Sequence, residues 1–207
     1  DDDLSRGLGD VYKRQGPEYM PQTGKTENTI KFNYFVGDQL INVKYRDGRK
    51  NFKLYKGAEK VFYNINSIVG YDSCVITEGE MDVLALHEAG IKNCVSVPNG
   101  ATITHNNLDY LDNCIDYFED KTKIILALDT DAPGLALRTE FVRRLGAEAC
   151  FLVDFEDCKD ANEYLIKYGK DKLKQTIDKA KAYPLENVTT FKDIEGLSLI
   201  HISEPTR

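Results

Sequence analysis

Five carboxylates stand near the ends of apolar segments in the second half of the chain, at positions that would let them act together. Glu78 directly follows one apolar run, and Asp82 lies one helical turn after it. Asp129 and Asp131 directly follow a second run, and Asp160 lies in a loop beyond a third. Each alone has an ordinary explanation, because Asp and Glu favour helix N-termini. Carboxylates within about 6 Å of one another, however, are most simply explained by a cation between them. All-oxygen ligands favour Mg²⁺ or Mn²⁺ over Zn²⁺.

The elements that would position these acids alternate between strand and helix after Gly70. The pattern predicts strands over Val75–Thr77, Cys94–Val97, Lys123–Leu128 and Ala149–Val153. It predicts helices over Met81–Ala89, Asn106–Phe118, Leu135–Leu145, Ala161–Tyr168 and Lys170–Lys181. Continuous apolar strands between helices indicate an α/β fold whose mostly parallel sheet is covered by helices on both faces. Because ligands bind at the carboxyl ends of such strands, the five acids could converge on one edge.

A different pattern precedes this region. From Thr29 to Asn64 apolar and polar residues alternate, with turn signals at Gly37–Asp38 and Asp47–Gly48, which predicts a small antiparallel sheet. Its polar face is expected to carry four basic residues, Lys44, Arg46, Lys50 and Lys53. We therefore expect a basic β subdomain over residues 29–70 and an α/β domain over residues 71–181.

The two ends of the chain show neither strand nor helix periodicity. Leu4–Gln15 and Ser198–Arg207 resemble translated sequencing-adapter sequence. We expect residues 1–28 to be artefact or linker, and residues 182–207 to be a linker toward a further domain followed by artefact.

Composition and charge restrict the class of protein. The chain has 207 residues, of which 42% are hydrophobic and 29% charged, as in globular proteins of one or two small domains. No apolar run approaches the roughly 20 residues that cross a bilayer, and the start lacks a signal-peptide pattern, so we expect a cytoplasmic protein with no membrane partner. Five cysteines without a Cys-x-x-Cys pair indicate reduced thiols. The net charge is −7, yet residues 25–60 hold nine basic and four acidic residues, whereas residues 72–131 hold three and twelve.

Three short motifs carry a resemblance to a known family. The strings Glu78–Asp82 (EGEMD) and Asp129–Asp131 (DTD), each after an apolar strand, resemble the TOPRIM domain shared by primases, topoisomerases and some nucleases. The string Lys159–Glu163 (KDANE) and the basic region at residues 43–53 are more narrowly similar to phage-type primase-helicases and their mitochondrial relatives. One departure is Ala132–Gly134 (APG) after the second motif, although proline suits a first helical turn.

The resemblance implies a DNA primase fragment that joins ribonucleoside triphosphates into a short RNA primer on single-stranded DNA, in a bacterial cell or phage-infected host. Asp129, Asp131 and Asp160 would hold Mg²⁺ or Mn²⁺, and Asp82 would support a metal. Glu78 would be a general base or a metal-adjacent carboxylate. The four basic residues of the sheet would bind nucleotide or DNA. A helicase domain is expected in the intact chain.

Two other functions stay open at this point. A TOPRIM nuclease or topoisomerase would cleave DNA, although a topoisomerase needs an active-site tyrosine and none of the 12 tyrosines stands in a recognisable setting. A non-catalytic TOPRIM module would bind nucleic acid or metal without turnover.

Overall fold

Two β-sheets form the framework of the protein. The computed structural model describes residues 13–55, 57–99 and 108–184. The first sheet is antiparallel, with the order β1-β2-β3-β4. Its strands are β1 (Lys13–Met20), β2 (Lys25–Val36), β3 (Gln39–Arg46) and β4 (Phe52–Leu54). The second sheet has five strands in the order β6-β5-β7-β8-β9, of which the first four run parallel. The prediction of an α/β fold with a preceding antiparallel sheet is confirmed.

The second sheet is built around two neighbouring apolar strands. Its strands are β5 (Ser73–Thr77), β6 (Cys94–Ser96), β7 (Lys123–Ala127), β8 (Cys150–Leu152) and β9 (Lys181–Ala182). The helices are α1 (Glu80–Glu88), α2 (Asp109–Asp112), α3 (Ala132–Leu145), α4 (Ala161–Tyr168) and α5 (Lys170–Asp178). Strands β5 and β7 lie side by side, and four of the five residues in each are buried. Continuous burial is typical of central parallel strands covered on both faces.

The antiparallel sheet begins earlier than predicted. Lys13–Met20 pairs along its whole length with Lys25–Phe32, so residues 13–28, expected to be artefact or linker, include β1 and the beginning of β2. Gly24 closes this hairpin with a φ of 66°. Gly16 and Pro17 break the alternation that would have identified β1, and its place at the sheet edge explains why proline is tolerated there. Residues 1–12 lie outside the described part of the chain.

The segment after β4 joins the two sheets instead of extending the first. The apolar run Val61–Asn64 was predicted to continue the antiparallel series, but only Tyr63 makes a β-bridge, to Ser96 in the second sheet. The buried Tyr63 ring packs edge-on against Phe32 and Tyr34, with centroid distances of 5.8 and 5.3 Å. A 3₁₀ turn (Ile65–Ile68) follows. Both sheets therefore share one core.

Two predicted helices end differently in the structure. The prediction of a helix over Asn106–Phe118 lies outside the described residues at positions 106 and 107. From Leu108 onward the structure has the short helix α2 and then a 3₁₀ turn at Ile115–Tyr117. The helix expected to reach Lys181 ends at Asp178, because the chain turns back and Lys181–Ala182 pairs antiparallel with β8. The expected linker thus starts within a strand at Ala182, and residues 185–207 lie outside the described part of the chain.

Two further findings concern the whole described region. In residues 13–55, 57–99 and 108–184, no helix is both long and apolar enough to span a bilayer. All five cysteines are buried and free.

Candidate active site

The carboxyl ends of β5 and β7 bring Glu78 and Asp129 together. Glu78 follows β5 directly, Asp129 lies two residues after β7, and the strands are parallel neighbours. The backbone N–H of Asp129 donates a hydrogen bond of 3.0 Å to Glu78 Oε1. This bond fixes the orientation of the Glu78 side chain at the sheet edge. We call Glu78, Asp82, Asp129, Asp131 and Asp160 the carboxylate rim.

The start of α3 packs closely against this edge. Asp131 is the N-cap of α3, and its carboxylate accepts a 3.0 Å hydrogen bond from the backbone N–H of Gly134. A Cβ atom at Gly134 would lie 2.3 Å from the carbonyl oxygen of Asp129 and 2.7 Å from Glu78 Oε1. The departure noted at Ala132–Gly134 therefore does not move α3 away from the rim. Glycine at position 134 lets the start of the helix lie against Asp129 and Glu78.

Helices α1 and α4 place the remaining two acids on the same side. Asp82 lies in the first turn of α1 and is buried, and its Oδ1 accepts a 3.1 Å hydrogen bond from the backbone N–H of Asn162. Asp160 is the N-cap of α4, where its carboxylate accepts a 2.8 Å hydrogen bond from the N–H of Glu163. The bond between Asp82 and Asn162 thus joins the two helices beside the rim.

The rim carboxylates affect one another electrostatically. Burial, together with the negative charges of Asp160 and Asp129, raises the pKa of Asp82 to about 7 against the opposing effect of the hydrogen bond from the Asn162 N–H. Burial also raises the pKa of Asp129, as do the charges of Asp160 and Asp131, whereas its hydrogen bond with Lys159 lowers it. Mutual effects of this kind indicate that Asp82, Asp129, Asp131 and Asp160 share one region of negative potential.

A lysine lies within this negative region. Lys159 Nζ is 2.9 Å from Asp129 Oδ2, and the Lys159 side chain is 61% exposed while that of Asp129 is 14% exposed. The hydrogen bond with Asp129, followed by the surrounding negative charge, raises the pKa of Lys159. The sequence motif around Asp160 contains Lys159, but no role was predicted for it.

The chemistry of the rim fits a hard divalent cation. The donors are all carboxylate oxygens, which suit Mg²⁺ or Mn²⁺, and a cation already contacts one of them in the form of the Lys159 ammonium group. Within the described residues no three His, Cys, Asp or Glu side chains stand close enough to enclose an ion as they lie. Binding a metal would therefore require rim side chains to rotate toward one another.

The four predicted basic residues do not share one polar face. Directly opposed residues in an antiparallel pair lie on the same side of the sheet. Lys44 is opposite the buried Phe32, whereas Lys53 is opposite Tyr45, so these two lysines lie on opposite faces. Lys50 is exposed in the turn before β4, with a φ of 63°. The prediction of one shared basic face is wrong, because Lys53 lies opposite Tyr45, the residue after Lys44, and successive residues of a strand point to opposite faces.

Lys44 takes part in a buried polar cluster that was not predicted. Its Nζ lies 2.7 Å from Glu80 Oε1, and the two side chains are 9% and 5% exposed. The hydroxyl of Tyr34 donates to the same carboxylate oxygen. Burial and the Glu80 charge raise the pKa of Tyr34, so the hydroxyl keeps its proton. Glu80 stands inside the EGEMD string, where its spacing gave no signal that it faces the antiparallel sheet.

Lys53 and Arg46 have different surroundings. Lys53 Nζ lies 2.8 Å from Glu18 Oε1 and donates to the carbonyl oxygen of Tyr19. Arg46 is half-buried and lies opposite Ile30 on the face that carries Lys44. The binding of nucleotide or DNA by these residues stays a prediction.

Comparison with known families identifies the class of domain. Residues 75–165 match the family described as Toprim-like. All five rim carboxylates lie within the matched residues. The chain is therefore similar to the Toprim-like family over these residues, and the resemblance to a TOPRIM domain inferred from the motifs is confirmed.

Two individual proteins from a plant are similar to this chain over more residues than the family match covers. The chain is 39% identical over 178 residues to the Primase homolog protein of Arabidopsis thaliana, covering 78% of this chain and 53% of the relative. It is 36% identical over 184 residues to the Twinkle homolog protein, chloroplastic/mitochondrial, of the same plant, covering 81% of this chain and 26% of the relative. The chain thus spans about half and about a quarter of these two proteins.

The fold is similar to that of a solved primase. The crystal structure of the primase fragment of the bacteriophage T7 primase-helicase protein superimposes with a TM-score of 0.64 at 24% sequence identity. The match covers 79% of this chain and 65% of that chain, so it extends beyond the residues assigned to the Toprim-like domain.

Proposed function

We propose that this chain is the catalytic part of a DNA primase, which joins ribonucleoside triphosphates into a short RNA primer on single-stranded DNA. The observation that carries the proposal is the carboxylate rim at the ends of β5 and β7 in a Toprim-like domain. Similarity to a plant primase homologue and to a phage primase fragment favours primer synthesis over DNA cleavage by a nuclease or topoisomerase.

The rim residues would have different roles in phosphoryl transfer. Asp129, Asp131 and Asp160 would hold Mg²⁺ or Mn²⁺, and Asp82 would support the site from α1. When bound, the divalent ion neutralises charge on the triphosphate. Glu78 is held at the sheet edge by the Asp129 N–H and would accept the proton of the attacking 3′-hydroxyl group.

The antiparallel sheet would supply positive charge for the template and the triphosphate. Lys50 is exposed and Arg46 half-exposed, so these two side chains are the best placed of the four to contact phosphate. Lys44 and Lys53 are already paired with Glu80 and Glu18. We assign them a supporting role, in which they orient the sheet and add to its potential.

A helicase domain is proposed for the intact chain. The structural relative from phage T7 is described as the primase fragment of a primase-helicase protein, and the present chain spans only part of each relative named above.

A primer-synthesis assay tests the proposed function. The chain is incubated with labelled ribonucleoside triphosphates, single-stranded DNA and Mg²⁺ or Mn²⁺, and the products are separated on a gel. Glu78→Gln and Asp129→Asn are compared with Glu88→Gln, a matched change of an exposed acid at the far end of α1. We expect short RNA from the wild type and from Glu88→Gln, and at least a ~100-fold loss in the two rim variants.

The same preparation separates the alternatives. Undiminished RNA synthesis by Glu78→Gln and Asp129→Asn would contradict the proposed site. Nicking of supercoiled DNA in place of RNA synthesis would favour a TOPRIM nuclease or topoisomerase. Metal binding by a folded chain without either reaction would favour a non-catalytic module.

A further inference from the structure

The ion pair between Lys159 and Asp129 is unequal in its exposure. Asp129 is 14% exposed at the side chain and is anchored by its backbone N–H, which donates to Glu78. The Lys159 side chain is 61% exposed, although its backbone N–H is fixed by a 2.7 Å hydrogen bond to Glu163 Oε2. The carboxylate is therefore held in place, whereas the ammonium group sits at the end of a long side chain in contact with water.

We propose that Lys159 is the built-in counter-ion of the carboxylate rim: its ammonium group neutralises Asp129 when no divalent cation is bound, and an incoming cation displaces it. The inference rests on the proposed function, because it assumes that the rim holds a metal. It adds a specific competitor for the cation, located one residue before the rim acid Asp160.

The geometry makes this exchange easy. Ion pairs with an exposed partner contribute little to stability, because the charged group regains its hydration when the pair opens. The released ammonium group needs no new protein partner, since the Lys159 side chain that carries it is already 61% exposed. The two positive charges would otherwise compete for one carboxylate at close range, where like charges repel.

A structural role and a counter-ion role for Lys159 predict opposite changes in metal affinity when the lysine is removed. If the lysine were needed to hold Asp129 in a metal-binding position, removing it would weaken metal binding. If it is a displaceable counter-ion, removing it strengthens metal binding. The sign of the change in metal affinity therefore decides between the two.

Calorimetric titration of the metal-free protein with Mn²⁺ measures this sign directly. The variants are Lys159→Gln, which removes the charge, and Lys159→Arg, which keeps it. The control is Lys167→Gln, which removes the same charge from an exposed lysine of α4 whose partner is Asp157, outside the rim. Circular dichroism establishes that each variant is folded.

We expect Lys159→Gln to bind Mn²⁺ about 5-fold more tightly than the wild type. Lys159→Arg and Lys167→Gln should stay within about 2-fold of the wild type. Equal or weaker Mn²⁺ binding by folded Lys159→Gln, with binding intact in the wild type, overturns the counter-ion role and leaves the proposed function standing. Absence of Mn²⁺ binding in the wild type overturns both.

Discussion

At the scale of single residues, Gly134 shows how closely α3 approaches the rim. Replacing glycine by alanine inside a helix ordinarily stabilises it by about 1 kcal/mol. At Gly134 the added Cβ would lie 2.3 Å from the backbone oxygen of Asp129. We therefore expect Gly134→Ala to lower the free energy of unfolding by about 1–3 kcal/mol and to abolish primer synthesis, because helix and rim must move apart.

Urea denaturation measures the effect of the Gly134 substitution. Gly48→Ala is the control, since a Cβ atom there meets nothing within 4 Å. A Gly134→Ala protein as stable as the wild type would contradict the tight approach of α3 to Asp129.

A second prediction at the scale of single residues concerns Asp82 and the dependence of stability on pH. Its pKa in the folded protein is raised to about 7, above the value near 3.9 expected in an unfolded chain. The folded state therefore binds the Asp82 proton more tightly than the unfolded state does. The stability that this provides is complete below about pH 4 and is lost as pH rises through about 7.

Unfolding measured in EDTA across pH 4–7.5 tests the role of Asp82. We expect Asp82→Asn to match the wild type near pH 4 and to exceed its free energy of unfolding at pH 7.5, by on the order of 2 kcal/mol, since the neutral amide avoids the buried charge. Asp171→Asn, at an exposed position of α5, should run parallel to the wild type. A wild type with a higher free energy of unfolding than Asp82→Asn at pH 7.5 would contradict the raised pKa of Asp82.

At the scale of elements, the buried pair of Lys44 and Glu80 fastens β3 to α1. Removing one partner of a buried pair leaves the other charge without compensation and typically costs about 3–5 kcal/mol. We expect Lys44→Met to lower the free energy of unfolding by about 3 kcal/mol. The double variant Lys44→Met/Glu80→Gln should lose less than the sum of the two single variants.

A double-mutant cycle in urea measures the coupling between Lys44 and Glu80. Lys53→Met is the matched control, because the side chains of Lys53 and Glu18 are 22% and 20% exposed. Its loss should stay near 1 kcal/mol or below. Additive single effects at Lys44 and Glu80 would show that the pair does not connect β3 with α1.

The same elements show what sequence patterns can predict. Helix α4 begins and ends where expected, at Ala161 and Tyr168, because Asp160 caps its start and Gly169 follows its end. Strand β1 was missed because Gly16 and Pro17 interrupt its alternation. Local end signals were thus sufficient for α4, whereas α3, predicted from Leu135, begins three residues earlier at Ala132.

At the scale of the whole molecule, local pattern no longer suffices. The convergence of Glu78 and Asp129 could be predicted, because parallel strands end at one edge and each acid follows its strand. The contact between Lys44 and Glu80 could not, since it depends on how the antiparallel sheet packs on α1. The contact between Lys159 and Asp129 likewise joins residues from different loops. Packing between elements decides which of the predicted charges remain available to a ligand.

The division of charge between the two sheets leads to a prediction about nucleic-acid binding. The net charge is −7, so single-stranded DNA should bind through the basic residues of the antiparallel sheet and not through overall attraction. Removing one basic side chain that binds a phosphate makes the slope of log affinity against log salt shallower by about 0.7 for a single strand. We expect Lys50→Ala and Arg46→Ala each to weaken binding and to reduce the slope by about this amount.

Fluorescence anisotropy at several salt concentrations measures both the affinity for single-stranded DNA and its salt slope. Lys172→Ala on α5 is an exposed control that should change neither. Equal slopes in all four proteins would show that the DNA binds away from the turn between β3 and β4. Lys50 and Arg46 would then be surface residues without a role in DNA binding.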